Sequence, residues 1–364
     1  MDQRLNLDDL RRYAVSRSLF KPTTLPAAVR KLGFIQADPI RAPARAQDLT
    51  LRHRVTGYRA GDLERRYPKL SVEEDFFVNY GFLSTEIQRL MHPRTARLVW
   101  SAARKKRSSA LLEFIRERGE VHPREVDAHF AHGSIKNYWG GSSSATTHLL
   151  DGMHYRGLVR VARRESGIRI YAAQEYAQVI HDAASRRAHI DALIDVIVRK
   201  YAPLPGASLA NLIGRLRHGA PQWQSDLKTS IRRAKDRLAH ARIDGVDWYW
   251  PVEEKPASNR HALQDEVRFL APFDPIVWDR RRFELFWHWA YRFEAYTPLP
   301  KRKLGYYALP LLWRDQIIGW ANITIKESQL RSDFGYVSGR APQERVFKRE
   351  LEAEMERMRL FLAV

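Results

Sequence analysis

The chain contains no cysteine. Structural disulfides, thiolate nucleophiles, iron-sulfur clusters and cysteine-based zinc sites are therefore excluded. No apolar stretch approaches the length needed to cross a bilayer, and the opening MDQRLNLDDL has neither the basic start nor the apolar run of a signal peptide. A soluble, cytoplasmic protein is expected. Gly140-Gly141-Ser142 lacks the Gly-Lys-Ser/Thr of a phosphate loop, and His122, His129 and His132 match no standard metal-ligand spacing. No metal and no cofactor is expected.

What the chain has in excess is positive charge. Lys+Arg number 62 against 42 Asp+Glu, a formal net charge of +20, and the pI is about 10.2. A polyanionic partner is the simplest explanation. Arginine dominates, 48 against 14 lysines, and guanidinium matches phosphate with paired donors. A GC-rich genome would favour arginine too, so the ratio supports nucleic acid only modestly. The charge is spread along the chain, which suits a folded binding surface better than a disordered arm.

At 364 residues the chain exceeds one compact domain, and two to four modules are expected. Leu7, Leu10, Tyr13 and Ala14 recur at helical spacing, and Pro22-Thr23-Thr24 opens a second helix through Leu25, Val29 and Leu32. Residues 108 to 176 read as a winged helix. A helix ends at Gly119, a second begins with a proline in its first turn, a third is capped by serine and stopped at Gly157, and LVRVARRESGIRIYAAQ forms a hairpin wing. A weaker copy follows, ending in the hairpin around DGVDWYWP. From about residue 262 aromatic and β-branched residues with turn signals at Asp274-Pro275, Pro298 to Pro300 and Arg314-Asp315 indicate a small antiparallel β domain, with hairpin strands near 304 to 312 and 316 to 325. Trp287, Trp289, Tyr291 and Phe293 alternate as on one strand face. The tail from Pro342 to Leu360 reads as a helix that packs back.

The expected fold is therefore α+β: tandem winged-helix (helix-turn-helix) modules at residues 1 to 105, 106 to 180 and 181 to 258, followed by a small C-terminal antiparallel β-barrel-like domain at 259 to 364.

The stretch Lys31-Leu-Gly-Phe-Ile-Gln36-Ala-Asp38-Pro-Ile40 is the candidate site. If residues 34 to 38 are extended, Phe34, Gln36 and Asp38 share a face, while Gly33 ends the preceding helix and Pro39 cuts the strand short at an edge. That places one amide and one carboxylate together at a rim. The bland alternative is a solvated strand face followed by an Asp-Pro turn. Arg41, Arg45, Arg52, His53 and Arg54 follow closely and read as a phosphate-contacting rim or, equally simply, a solvated helix face.

FIQADPI, the three winged-helix-like units and FDPIVWDRRRFELFWHWAYRFEAYTPLPKRKLGYYALPLL together resemble the AlkZ-type winged-helix DNA glycosylases, in particular their YcaQ-like (AlkX) branch. The Glu294-Ala-Tyr-Thr-Pro298, Lys301-Arg302 and Gly305-Tyr306-Tyr307 run is the most specific part. One departure stands out: Gly-Trp-Ala-Asn-Ile-Thr-Ile-Lys follows where the family tends to have Gly-Arg-x-Asp-x-Lys. The resemblance implies a monofunctional DNA repair glycosylase. Its substrates would be double-stranded DNA with cationic N-alkylated purines such as N7-alkylguanine, including interstrand crosslinks to be unhooked. It maps the family's catalytic motif onto Gln36 and Asp38. The implied partner is DNA in the nucleoid, with no membrane and no obligate protein partner.

An alkylated purine is already cationic, so its departure needs no strong acid. The sugar left behind acquires oxocarbenium character, which a carboxylate stabilises while taking a proton from water. Asp38 suits that role, with Gln36 orienting the water. No lysine lies in an obvious nucleophile position, Lys31 being seven residues away. Arg163 and Arg164 on the wing, and Lys301, Arg302 and Lys303, complete the expected DNA-binding set, with Glu294 weighed evenly as a DNA-facing residue. A winged-helix transcription regulator without catalysis is the competing reading, distinguished by binding palindromic sites with a large specificity ratio.

Overall fold

The computed structural model describes residues 5–95, 98–131, 133–136, 142–176, 182–262 and 264–364. His132 and Gly140-Gly141 lie outside them. The chain divides into two compact units, one comprising Met1–Leu63, Asp195–Leu212 and Ile231–Val364, the other Glu64–Ile194 and Ile213–Ser230.

In the first unit, helix α1 (Leu7–Ser18) starts at a reciprocal cap: the Asp9 N–H donates to Asn6 Oδ1 at 2.9 Å and the Asn6 N–H to Asp9 Oδ2 at 3.2 Å. Helix α2 (Leu25–Leu32) has Thr24 as its cap and stops at Gly33, whose φ of 68° lies where side chains fit poorly. Strand β1 (Phe34–Gln36) follows directly, and helix α3 (Ala46–Leu51) lies ten residues further on. β1 is shorter than expected and all its residues are buried. Pro39 removes a backbone donor, so Asp38 falls in a turn beyond the strand.

The C-terminal part of this unit holds, among the described residues, an antiparallel sheet of Val267–Phe269, Leu309–Trp313, Gln316–Lys326 and Gln329–Tyr336, in that order. The sheet is open, with two edges, and is not the closed barrel that the sequence suggested. The helix Arg345–Leu362 packs on the Val267–Phe269 edge, where the buried Glu354 accepts the Phe269 N–H at 2.9 Å. The Arg314-Asp315 turn is where the sequence placed it. Residues 280 to 287 differ. They form a helix, Arg280–Trp287, capped by the Asp279 carboxylate. Phe283, Phe286 and Trp287 recur at helical spacing on its buried face, and Trp289, Tyr291 and Phe293, expected to share one strand face with Trp287, lie outside any strand.

The second unit contains the hairpin Val72–Phe76 with Tyr80–Ser84, the helices Ala102–Arg118, Pro123–Phe130 and Ala145–Tyr155, and the hairpin Val159–Glu165 with Ile168–Ala173. From Ala102 to Ala173 the order of helices and hairpin agrees with the sequence reading, whereas the hairpin of Val72–Phe76 with Tyr80–Ser84 was not expected. At its centre Arg94 is buried, donating to Asp75 Oδ1 at 3.0 Å and to the carbonyls of Phe76, Tyr155 and Gly219.

Candidate active site

Gly33 releases the chain from α2 so that β1 delivers Gln36 and the following turn delivers Asp38. The Gln36 amide oxygen accepts the Trp278 indole N–H at 2.6 Å. An indole is only a donor, so this bond fixes which end of the amide is which and leaves the NH2 end to donate. The Asp38 N–H donates to Gln47 Oε1 at 3.2 Å, which ties the turn to α3. Asp38 Oδ1 accepts the Ile40 N–H at 2.8 Å, closing an Asx-type turn over Pro39.

Asp38 is only 8% exposed, so the open rim expected from sequence is a narrow one. Among the described residues it forms no ion pair, and its Oδ2 accepts no hydrogen bond. Burial raises its pKa above the ordinary aspartate value, opposed by the Ile40 N–H. A carboxylate without a neutralising cation keeps its charge and basicity for an incoming group.

Besides Trp278, two groups at the site were given no role from sequence. The first is Tyr307, buried, with a hydroxyl that has no hydrogen-bond partner among the described residues. Its phenol is pushed well above the ordinary tyrosine value, first by burial and then by the negative charge of Asp38. It therefore stays protonated, a donor within electrostatic reach of the carboxylate. The second is Lys200, near the end of the helix Ala183–Tyr201, whose ammonium donates to the Phe34 carbonyl. Burial, reinforced by the Arg54 charge, pushes it down to about 7. A lysine distant in sequence does lie against β1, but it is buried and faces the backbone of the strand. Both were illegible because residues 200, 278 and 307 are far from 36 in the chain.

The expected DNA-binding residues separate clearly. Arg41, three residues after Asp38 in the chain, is exposed, as are Lys301 and Lys303, while Arg45 and Arg302 are half-buried. Arg52, His53 and Arg54 face inward. Arg52 pairs with Glu354, and His53 Nε2 bonds the Phe269 carbonyl oxygen at 2.9 Å. Arg54 holds Asp274 through two contacts of 2.8 and 3.0 Å. Arg54 has Nε and both terminal nitrogens engaged inside the protein, by the Ser18 and Thr50 carbonyls and Asp274, whereas Arg52 Nε has no hydrogen-bond partner among the described residues. On the hairpin of the second unit, Arg164 is held by Glu74 at 2.6 and 2.7 Å, and Arg163 is paired with Glu120 and Glu165. Glu294 is buried, accepting the N–H groups of Lys303 at 2.9 Å and Leu304 at 2.8 Å, which makes it a loop brace and not a DNA-facing group. Among the described residues no group of three or more His, Asp or Glu side chains is placed to hold a metal ion.

Residues 29–361 match the family model described as DNA glycosylase AlkZ-like. Among solved structures the chain is similar to the Streptomyces sahachiroi DNA glycosylase AlkZ, with a TM-score of 0.64 and 12% sequence identity, over 100% of this chain and 98% of that one. At that identity the likeness is one of fold.

Proposed function

This chain belongs to the AlkZ-like DNA glycosylase family, and from that premise we propose that it hydrolyses the N-glycosidic bond of cationic N-alkylated purines, N7-alkylguanine above all, and unhooks interstrand crosslinks built on such bases. The observation that carries this reading is Asp38, a buried carboxylate with no cation beside it, next to a glutamine whose orientation Trp278 locks.

The chemistry follows from the charges. The departing base takes the electron pair of the C1′–N bond and its own positive charge is neutralised. C1′ acquires positive character, which the Asp38 carboxylate stabilises. Water enters with the Gln36 NH2 donating to its oxygen, gives a proton to Asp38, and bonds to C1′. Tyr307 stays protonated and supplies a donor near the carboxylate. Lys200 takes no part as a nucleophile because its amine is turned to the Phe34 carbonyl, so hydrolysis proceeds without a Schiff base and the enzyme is monofunctional.

The helices and hairpin of residues 102 to 173 are read as a winged helix, one of the tandem modules bounded near residues 105, 180 and 258. Arg41, Lys301 and Lys303 are the free cations of the expected set that would meet phosphates, and action in the nucleoid belongs to the same proposal. A duplex treated with nitrogen mustard tests it. Incubation should release free alkylated base and leave abasic sites, and borohydride added during turnover should trap no protein-DNA adduct. An adduct would make Lys200 or another amine the nucleophile. Sequence-specific binding without base release would return the chain to the regulator reading.

A further inference from the structure

Three exposed large apolar side chains lie within one loop: Tyr296 at 80%, Leu299 at 74% and Tyr306 at 45% exposure. Pro298 and Pro300 are exposed between them. Loose loops often show apolar side chains, but this one is braced. The Glu294 carboxylate accepts the N–H groups of Lys303, Leu304 and, at 3.3 Å, Gly305. The Thr297 N–H donates to the Glu294 carbonyl at 2.9 Å, Arg302 Nε to the Thr297 carbonyl at 2.7 Å, and the Asn322 amide to the Leu304 carbonyl at 2.8 Å. Gly305 has a φ of 124°, and a Cβ there would lie 2.2 Å from Asn322 Oδ1, so the turn that closes the loop requires glycine. The guanidinium of Arg302 sits 5.0 Å over the Tyr306 ring. A rigid loop that holds its apolar groups in water leaves the cost of ordering already met before a partner arrives.

Its position and charge select the partner. Phe293 bridges the loop's Tyr296 to Tyr307, with ring centroids 6.0 and 5.1 Å away, and the Tyr307 phenol lies within electrostatic reach of Asp38. Lys301 and Lys303 stand exposed between Leu299 and Tyr306. Rings and a branched aliphatic group flanked by cations match stacked bases flanked by phosphates. A lipid surface would be served by the same cations but gives no reason for the loop to be tied to the catalytic turn.

We propose that Tyr296, Leu299 and Tyr306 form a wedge that enters the base stack of duplex DNA beside the nucleotide whose C1′ meets Asp38. The inference rests on the glycosylase reading and deepens it. A base crosslinked to the opposite strand cannot be swung fully out of the helix, whereas a wedge that parts one base step exposes C1′ with the base still tethered.

The test uses the full-length protein and the exposed-surface double variant Tyr296→Ser/Leu299→Ser, with a duplex carrying 2-aminopurine next to an N7-alkylguanine. Saturating wild-type protein should raise 2-aminopurine fluorescence, and the variant should not. Single-turnover excision from duplex should fall about 10- to 100-fold in the variant, the scale of unstacking one base step. Excision of the same lesion inside a bulge, where stacking is already lost, should fall much less. Lys301→Gln/Lys303→Gln should weaken binding while preserving the fluorescence rise at saturation. An unchanged fluorescence rise and duplex rate in the Tyr296/Leu299 variant overturns the wedge and leaves the glycosylase reading standing. Fluorescence rising with wild-type protein alone, without base release from any alkylated duplex, upholds the wedge and removes the glycosylase reading. No rise with wild-type protein overturns the wedge whatever the activity, and binding of the wild-type protein to anionic vesicles in preference to duplex, lost in the variant, also overturns it.

Discussion

Asp75 and Asp38 are both buried carboxylates, each in its own unit, and their surroundings differ completely. Asp75 Oδ2 meets His92 Nε2 at 2.7 Å and Oδ1 meets Arg94 at 3.0 Å. Burial alone would raise its pKa, but Arg94 and His92 more than reverse this and hold it well below the usual carboxylate range. Asp38 has burial without a cation, so its pKa moves upward. A carboxylate whose charge is fully compensated serves the architecture. One left charged and uncompensated is costly to the fold, and its retention beside an oriented amide is the mark of chemistry.

The largest effect should come from breaking the compensated side. Arg94→Met leaves Asp75 buried without its cation and strips the carbonyls of Phe76, Tyr155 and Gly219 of their donor. A loss of about 3–5 kcal/mol is expected for one partner of a buried pair. Urea denaturation with a probe in the second unit measures it, and a loss within error of zero would remove the contrast.

Asp38→Asn sharpens the other side. Single-turnover excision of N7-alkylguanine should fall by about 10²-fold or more, the scale of losing an acid-base group. Stability should not fall with it. The folded pKa of Asp38 lies above its unfolded value, so once pH exceeds the folded pKa the ionised group costs stability, and the neutral amide removes that cost. A thermal midpoint at neutral pH equal to or above wild type is expected. For the same reason wild-type excision should decline on acidification at a pH above that of an ordinary aspartate, as Asp38 takes up its proton. Excision at the wild-type rate by Asp38→Asn would make the carboxylate a bystander.

Lys200 gives a smaller effect, read in stability against pH. Its folded pKa of about 7 lies below the ordinary lysine value, so between those values the unfolded chain binds more protons. Stability therefore gains up to about 1.4 kcal/mol per pH unit from this group as pH rises through that window. Lys200→Met should flatten the profile there, and an unchanged slope would mean that the amine is not held neutral. Gln36→Ala should be the mildest in activity, about 10-fold, because a misplaced water still finds the carboxylate. A loss equal to that of Asp38→Asn would give Gln36 a direct part in the chemistry.

Much of the local structure was legible. The Thr24 cap, the Gly33 stop, the Pro123 start and the Asp244-Gly245 and Arg314-Asp315 turns are short-range signals, and the elements that they bound are present. Trp287, Trp289, Tyr291 and Phe293 alternate as on a strand face, yet the helix Arg280–Trp287 ends at the first of them and the other three lie outside any strand, their rings packed on one another and on Phe283 and Tyr307 without a ladder. In the candidate site, Gln36 and Asp38 could be picked out from a short extended run cut off by Pro39. Trp278 and Tyr307 were not, because nothing in a tryptophan or tyrosine announces a partner 242 residues away, as for Gln36 and Trp278.

By itself the sequence pointed to a polyanionic partner, excluded thiol chemistry and set the order of helices and hairpin between residues 102 and 173, since charge, composition and caps act over a few residues or over the whole chain at once. Only the tertiary structure decided which arginines are free. Arg41 and Arg54 look alike in sequence, yet Arg54 is spent on Asp274, 220 residues away, while Arg41 remains in water. It likewise decided that Asp38 keeps its charge unpaired while Asp75 does not. Burial and pairing set the energy of an ionised group, and both are fixed by neighbours that folding brings together from distant parts of the chain.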